Sequence, residues 1–247
     1  MKNKGNIWFY VSILTGVLLL LSDSCKKDNT QGSVNGISTA IFNPALTYGT
    51  MTDQDGNTCR TIQIGTQVWM AENLKVTSYR NGDLIGTTDP ATKNISGEAT
   101  PEYQWPGLGD ASKVATYGRL YTWFAVSDSR NIAPPGWHVA SYEEWTILRD
   151  YLGGDSVAGG KLKETGTTHW ISPNTGATNE SGFTALPGGL RDPGGLFYTT
   201  NQPGNWWTST ESIAPNVWHA YTSGVASYLL LISSNKAVGY SVRCVKD

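Results

Sequence analysis

The chain has 247 residues, with 18 Lys and Arg against 20 Asp and Glu and a net charge of −2. That balance leaves no basic footprint for a nucleic-acid backbone, and 39% hydrophobic residues with 11% aromatic exclude a disordered chain. Charged residues make up only 15%, while glycine reaches 28 and tryptophan 10, which points away from helical bundles and towards short strands joined by many turns.

Lys2 and Lys4 precede an apolar run over residues 7–21, the pattern of a secretory signal and short of the roughly 20 residues that span a bilayer. The run ends in Leu21-Ser22-Asp23-Ser24-Cys25-Lys26-Lys27-Asp28. A cysteine behind a small residue at this point resembles a bacterial lipoprotein cleavage site, of the loosened kind found in Bacteroidota. The resemblance implies a signal peptide over 1–24, a lipid-bearing Cys25, and an outer-membrane or cell-surface protein held by its lipid. Ser22 stands where such sites usually carry Leu, and a plain signal peptide or an uncleaved anchor is the alternative. Residues 25–51 are small and polar and read as a flexible tether. The body runs over 52–247 as one domain.

Within the body, Asp53-Gln54-Asp55-Gly56-Asn57 has the start of a calcium loop, but its glycine is two places early and Ile64 stands where the closing Glu belongs, so a turn is preferred. Residues 59–64 alternate at period two, Gly65-Thr66 turns, and residues 67–70 return as a second strand. Leu120, Tyr121, Phe124 and Ala125 predict a helix over 117–126. Ser141-Tyr142-Glu143-Glu144 is a capping box that opens a second helix, ended by Gly153-Gly154. Residues 159–164 predict a further helical turn. From Phe183 the pattern is β, with strands predicted over 183–186, 197–199, 206–209, 217–222, 227–232 and 240–245. Strands, two helices, long irregular loops and returning strands give an α+β plan. A last strand pairing near the first would bring Cys59 and Cys244 within reach of a disulfide; two separate thiols are the alternative.

Eight blocks carry a family likeness: residues 53–57, 64–74, 117–123, 135–139, 160–163, 178–189, 206–210 and 241–245, among them Pro135-Gly136-Trp137-His138-Val139 and Ser241-Val242-Arg243-Cys244-Val245. In this order they resemble the Fibrobacter succinogenes major paralogous (FISUMP) domain across 52–247. The resemblance implies a C-type-lectin-like fold of short antiparallel strands, in the branch similar to formylglycine-generating enzymes, on secreted or lipid-anchored proteins. Many members have Cys-Pro-x-Gly-Trp where this chain has Ala133-Pro134-Pro135-Gly136-Trp137, which favours Cys59 as the substitute partner of Cys244. The family brings no established activity.

His138, His169 and His219 each adjoin a tryptophan and lack metal-ligand spacing, so no metal or cofactor is assigned. No Gly-x-Ser-x-Gly occurs. Glu98, Glu102, Glu164, Glu180, Asp192 and Glu211 offer carboxylates for glycosidase chemistry, but sequence does not pair them, and no catalytic residue is assigned. Gln202-Pro203-Gly204 and Trp206-Trp207-Thr208 lack the acids of calcium-dependent sugar binding. Aromatic rings in loops remain. Trp69, Trp123, Trp137, Trp145 and Trp207 read as core, and Trp206 as the outward ring of its strand. Trp206, Trp170, Trp105 and Tyr198, with Arg191 and Asp192 as a polar rim, are the candidate ligand-binding residues. Arg243 reads as a buried ion pair, with a place on the ligand rim as the alternative. The expectation is a non-catalytic binding or adhesion module for a glycan or protein ligand; the alternatives are an envelope protein without a specific ligand and a cryptic hydrolase.

Overall fold

The computed structural model describes residues 36–198 and 202–247. Residues 1–35, which hold the expected signal peptide and Cys25, lie outside that range. The fold is mixed α+β, with few helices and several small sheets. Strands β1 (Gly49–Thr52), β2 (Thr58–Ile64) and β3 (Gln67–Met70) open it, followed by β4 (Gly86–Thr87), β5 (Glu102–Gln104), the single turns α1 (Pro106–Gly109) and α2 (Val114–Tyr117), β6 (Leu120–Tyr121) and α3 (Trp123–Val126). Then come β7 (Trp137–Val139), α4 (Tyr142–Tyr151) and α5 (Asp155–Leu162), the β8 (Leu190–Arg191) and β9 (Phe197–Tyr198) hairpin, and the meander β10 (Pro203–Glu211), β11 (Asn216–Ser223) and β12 (Leu230–Asn235). The chain ends in β13 (Cys244–Lys246), which inserts between β3 and β7 in a five-stranded antiparallel sheet of order β1-β2-β3-β13-β7.

Both faces of that sheet are covered. Met70 and Cys244 point into one core with Cys59, Trp137, Tyr121, Trp207 and Val242. Trp69 and Val245, one residue along in each strand, point into the other with Ile62, Trp145, Trp170, Phe183 and Trp206. The second core is aromatic: Trp69 meets Trp145 edge-on with ring centroids 4.9 Å apart, and Phe183 lies 5.7 Å from Trp69 and 6.0 Å from Trp206. Edge-to-face packing adds about 0.5–1.5 kcal/mol per pair to the burial itself.

Several expectations change here. The Asp53–Asn57 segment is a turn: Asp53 Oδ1 accepts from the Asp55 and Asn57 N–H groups. The capping box forms as read, with Ser141 and Glu144 bonded reciprocally. The helix expected over 117–126 breaks. Gly118 has φ 74°, and a Cβ there would lie 2.5 Å from that of Asn73, so chain and neighbour meet only at glycine; Leu120–Tyr121 then pairs with β5. Residues 183–186 form no strand beyond a bridge from Ala185 to Lys163. Part of the tether is not a tether: Leu46, Tyr48 and Phe42 pack on the second core, and β1 pairs with β2.

The disulfide is also corrected. Cys59 and Cys244 are free buried thiols, on strands with β3 between them. Two strand spacings amount to about 9–10 Å, beyond the ~7 Å limit between bridged Cα atoms. Burial pushes the Cys59 thiol up to about 12 and raises that of Cys244 too, so neither is a reactive thiolate.

His219 sits in β11, stacked on Tyr240 at 4.5 Å and edge-on to Trp207 at 6.0 Å. Burial pushes its pKa down to about 4. The unfolded chain therefore takes up this proton first as pH falls, and stability present above about pH 6.5 is lost towards pH 4. The shift amounts to roughly 3 kcal/mol. Urea unfolding across that window should show the loss, and His219→Phe should flatten it; an unchanged slope in the variant would refute the assignment.

Candidate functional site

The six candidate ligand residues separate into two groups. Trp206 and Trp170 are in the second core. Trp206 donates from Nε1 to Asn73 Oδ1 at 2.8 Å, and Trp170 from Nε1 to the Ala185 carbonyl at 2.9 Å. The outward Trp206 is thus wrong. β10 is flanked by cores on both sides, so Trp206 and Trp207 are each fully buried on opposite faces.

The other four lie around one loop face. The β8–β9 hairpin pairs Leu190 with Tyr198 and Arg191 with Phe197. Asp192 shapes its turn, accepting at Oδ1 from the Leu196 N–H at 2.9 Å. Turn α1 packs against β9, where a Cβ on Gly109 would stand 4.0 Å from the Phe197 ring. Trp105, half-buried before α1, meets Tyr103 edge-on at 5.7 Å, and the Arg119 guanidinium lies over both rings at 4.6 and 5.8 Å. On this footing three large side chains face solvent: Leu108 at 69% exposure, Leu196 at 64% and Tyr198 at 53%. Leu108 holds φ 70°, a left-handed conformation that bulky residues rarely adopt. It was missed by sequence reading, as was Leu196; Gly107-Leu108-Gly109 and Pro193-Gly194-Gly195-Leu196 were the available signals, a lone leucine at the tip of each glycine-rich turn.

Arg191 is not a rim residue. It is buried, and its guanidinium donates to the carbonyls of Ala91, at 3.0 Å, Asp192 and Lys93, pinning the 88–98 loop beneath the hairpin. With Glu102, Gln104 and Thr88 it lines a small cavity of about 10 Å³, the size one water molecule fills. Glu102 Oε2 and Gln104 Oε1 have no protein partner there. Burial raises the Glu102 carboxyl and lowers the Arg191 guanidinium.

A second polar cluster joins residues far apart in sequence. His169 Nδ1 lies 2.6 Å from the buried Glu164 Oε2, and its Nε2 lies 2.9 Å from Thr39 Oγ1. The order hydroxyl, imidazole, carboxylate is that of a nucleophile, base and orienting acid. The Thr39 hydroxyl also lies 3.0 Å from Thr116 Oγ1, its N–H donates to the same oxygen, and the Ile41 N–H donates to Glu164 Oε1. Four bonds in a row make this a clasp that fastens the segment 36–48 to the body. His138 bridges Glu144 and Asp247, at 2.7 Å each, and His219 lies in the core, so the three histidines do not converge. Among the described residues no cluster of three His, Cys, Asp or Glu side chains could hold a metal ion.

A family model described as the Fibrobacter succinogenes major domain matches residues 62–246. No curated protein and no solved structure matches the chain.

The clasp predicts that His169→Ala and Thr39→Val each speed limited proteolysis within 36–48, by about tenfold for the loss of one strong hydrogen bond. In Thr39→Val, which leaves the buried His169–Glu164 pair intact, the body's melting temperature should move little. Cleavage at the parent rate would refute the clasp.

Proposed function

We propose, for a chain that belongs to the Fibrobacter succinogenes major domain family, that it works as a non-catalytic binding module, displayed at the cell surface or outer membrane by a lipid on Cys25. The observation that carries this reading is the loop face of Leu108, Leu196 and Tyr198, set on the half-buried Trp105 and Phe197. Turn α1, which carries Leu108, packs against β9, which ends in Tyr198, so large exposed apolar side chains stand on adjoining elements, and exposed apolar surface of this kind marks interaction sites. The ligand is a protein or a glycan.

A C-type-lectin-like relationship is part of the proposal. It draws support from β13 returning beside the early strands and from long loops gathered between short sheets. Among the described residues no helix is long and apolar enough to cross a membrane, and the anchoring is assigned to the N-terminal lipid. Two acyl groups or more hold a protein stably where one is marginal. A scaffold with no specific ligand is the second reading, favoured by the full burial of Trp69, Trp145, Trp170, Trp206 and Trp207.

A glycan array and an envelope-extract pull-down with the full chain separate the two. Binding should fall by about tenfold or more on Tyr198→Ala with Leu108→Ser, the scale of losing a central anchor. No retained ligand, or retention that survives both changes, would leave the scaffold reading. Cys25→Ala should move the protein from the membrane fraction to the soluble one; a variant that stays on the membrane would refute lipid anchoring at that residue.

A further inference from the structure

We infer that a groove beside Tyr151, away from the residues of the loop face, is a saccharide-binding site. It has a volume of about 380 Å³, within the size range of small-ligand sites, and its lining includes Gln63, Gly65, Tyr151, Lys161, Glu180 and Ser181. Tyr151 closes α4 and is 64% exposed. Its ring is laid on the β2–β3 turn: a Cβ on Gly65 would stand 3.1–3.3 Å from three ring carbons. Gly65, with φ 60°, both makes the turn and leaves space for the ring. One side of the aromatic ring is thereby held by backbone while much of it faces the groove.

The rim supplies the rest of the chemistry. Lys161 and Glu180 form an ion pair at 3.0 Å and are both partly exposed, giving donors and acceptors side by side. Gln63 adds an amide on an outward strand position, and Ser181 is fixed by its hydroxyl bond to the Lys161 carbonyl at 2.8 Å. The two charges cancel, so the site favours a neutral ligand over an anion or a cation. It asks for an apolar face to lie on Tyr151 and for groups that both donate and accept around the edge. A neutral pyranose has that pattern, with C–H groups on a face and hydroxyls on the rim.

Saturation-transfer NMR on the full chain tests this, with methyl β-glycosides of glucose, galactose and N-acetylglucosamine, their β-linked disaccharides, and glucose 6-phosphate as a charged comparator. At least one neutral saccharide should receive transfer at its ring C–H protons. Affinity should fall about tenfold in Tyr151→Ala, fall in Glu180→Gln, and hold in Tyr198→Ala. Circular dichroism should match the parent, since Tyr151 and Glu180 are at the surface. Transfer to no saccharide, transfer that survives Tyr151→Ala, or tighter binding of glucose 6-phosphate would each overturn the site. Loss in Tyr198→Ala alone would place saccharide binding at the loop face, overturning this inference while leaving the proposed function in place.

Discussion

Arg243 is the tie on which the two cores depend. Its guanidinium is buried and donates to the carbonyls of Met70, Phe183 and Thr184 and to Asn73 Oδ1, while lying over the Phe183 ring at 4.3 Å. Among the described residues no carboxylate pairs with it directly, so the ion pair read from sequence is replaced by carbonyl oxygens. Burial pushes it down to about 9, still well above neutrality, so the charge is kept. The reason is one of supply: irregular backbone has carbonyls that no ladder satisfies, and a buried polar group left unpaired costs about 1–3 kcal/mol. A guanidinium, with five donors in a rigid fork, satisfies several at once. Asn73 extends the tie, accepting from Trp206 and Arg243 and donating to the Tyr117 carbonyl and Ser241.

The same device recurs wherever loops cross. Lys163 is buried and its ammonium donates to the carbonyls of Thr175, Ser223 and Ala226 at 2.7–2.9 Å, with burial pushing it down to about 8. Arg191, also buried, serves the 88–98 loop, while Arg80 reaches the carbonyls of Ala133, Pro134 and Trp137 from an exposed position. A chain with only 15% charged residues thus places several of its cations inside, each as a multivalent donor. Sheets of two or three short strands are marginal alone; cross-linking their connections through cations and aromatic cores makes one body of them.

Local signals in the sequence were legible because their physics is local. The Gly65-Thr66 hairpin, the Ser141 capping box and the Gly153-Gly154 stop all depend on neighbours within a few residues, and the structure has each of them. The α+β class followed from the same elements. The 117–126 segment was not legible: Leu120, Tyr121, Phe124 and Ala125 fit a helix, yet a short strand buried on both faces, as Leu120 and Tyr121 are, has equally apolar residues. Trp206 failed for the same reason, since alternation identifies an outward ring only where one face of the sheet is wet. Arg191 and Asp192 look alike as a polar dipeptide, but one is a buried clamp and the other a turn former. Thr39 and His169 meet across 130 residues, and no local pattern announces such a contact.

The exposed rings gain their meaning from what lies beneath them. Binding must offset the ordering of loops and side chains, so a ligand gains most from groups already held in place. Leu196 and Tyr198 ride on a hairpin whose Arg191 is locked to the adjacent loop, Trp105 packs edge-on against Tyr103 beside Arg119, and Tyr151 rests on a glycine turn between paired strands. Glycine-rich turns would ordinarily argue for mobile tips; here buried cations and ring packing fix the backbone on which the exposed side chains stand. An internal scaffold built to satisfy carbonyls therefore also fixes the surface above it, and the tryptophans that first suggested a ligand platform act one layer down, as the support for the smaller exposed side chains of the two proposed sites.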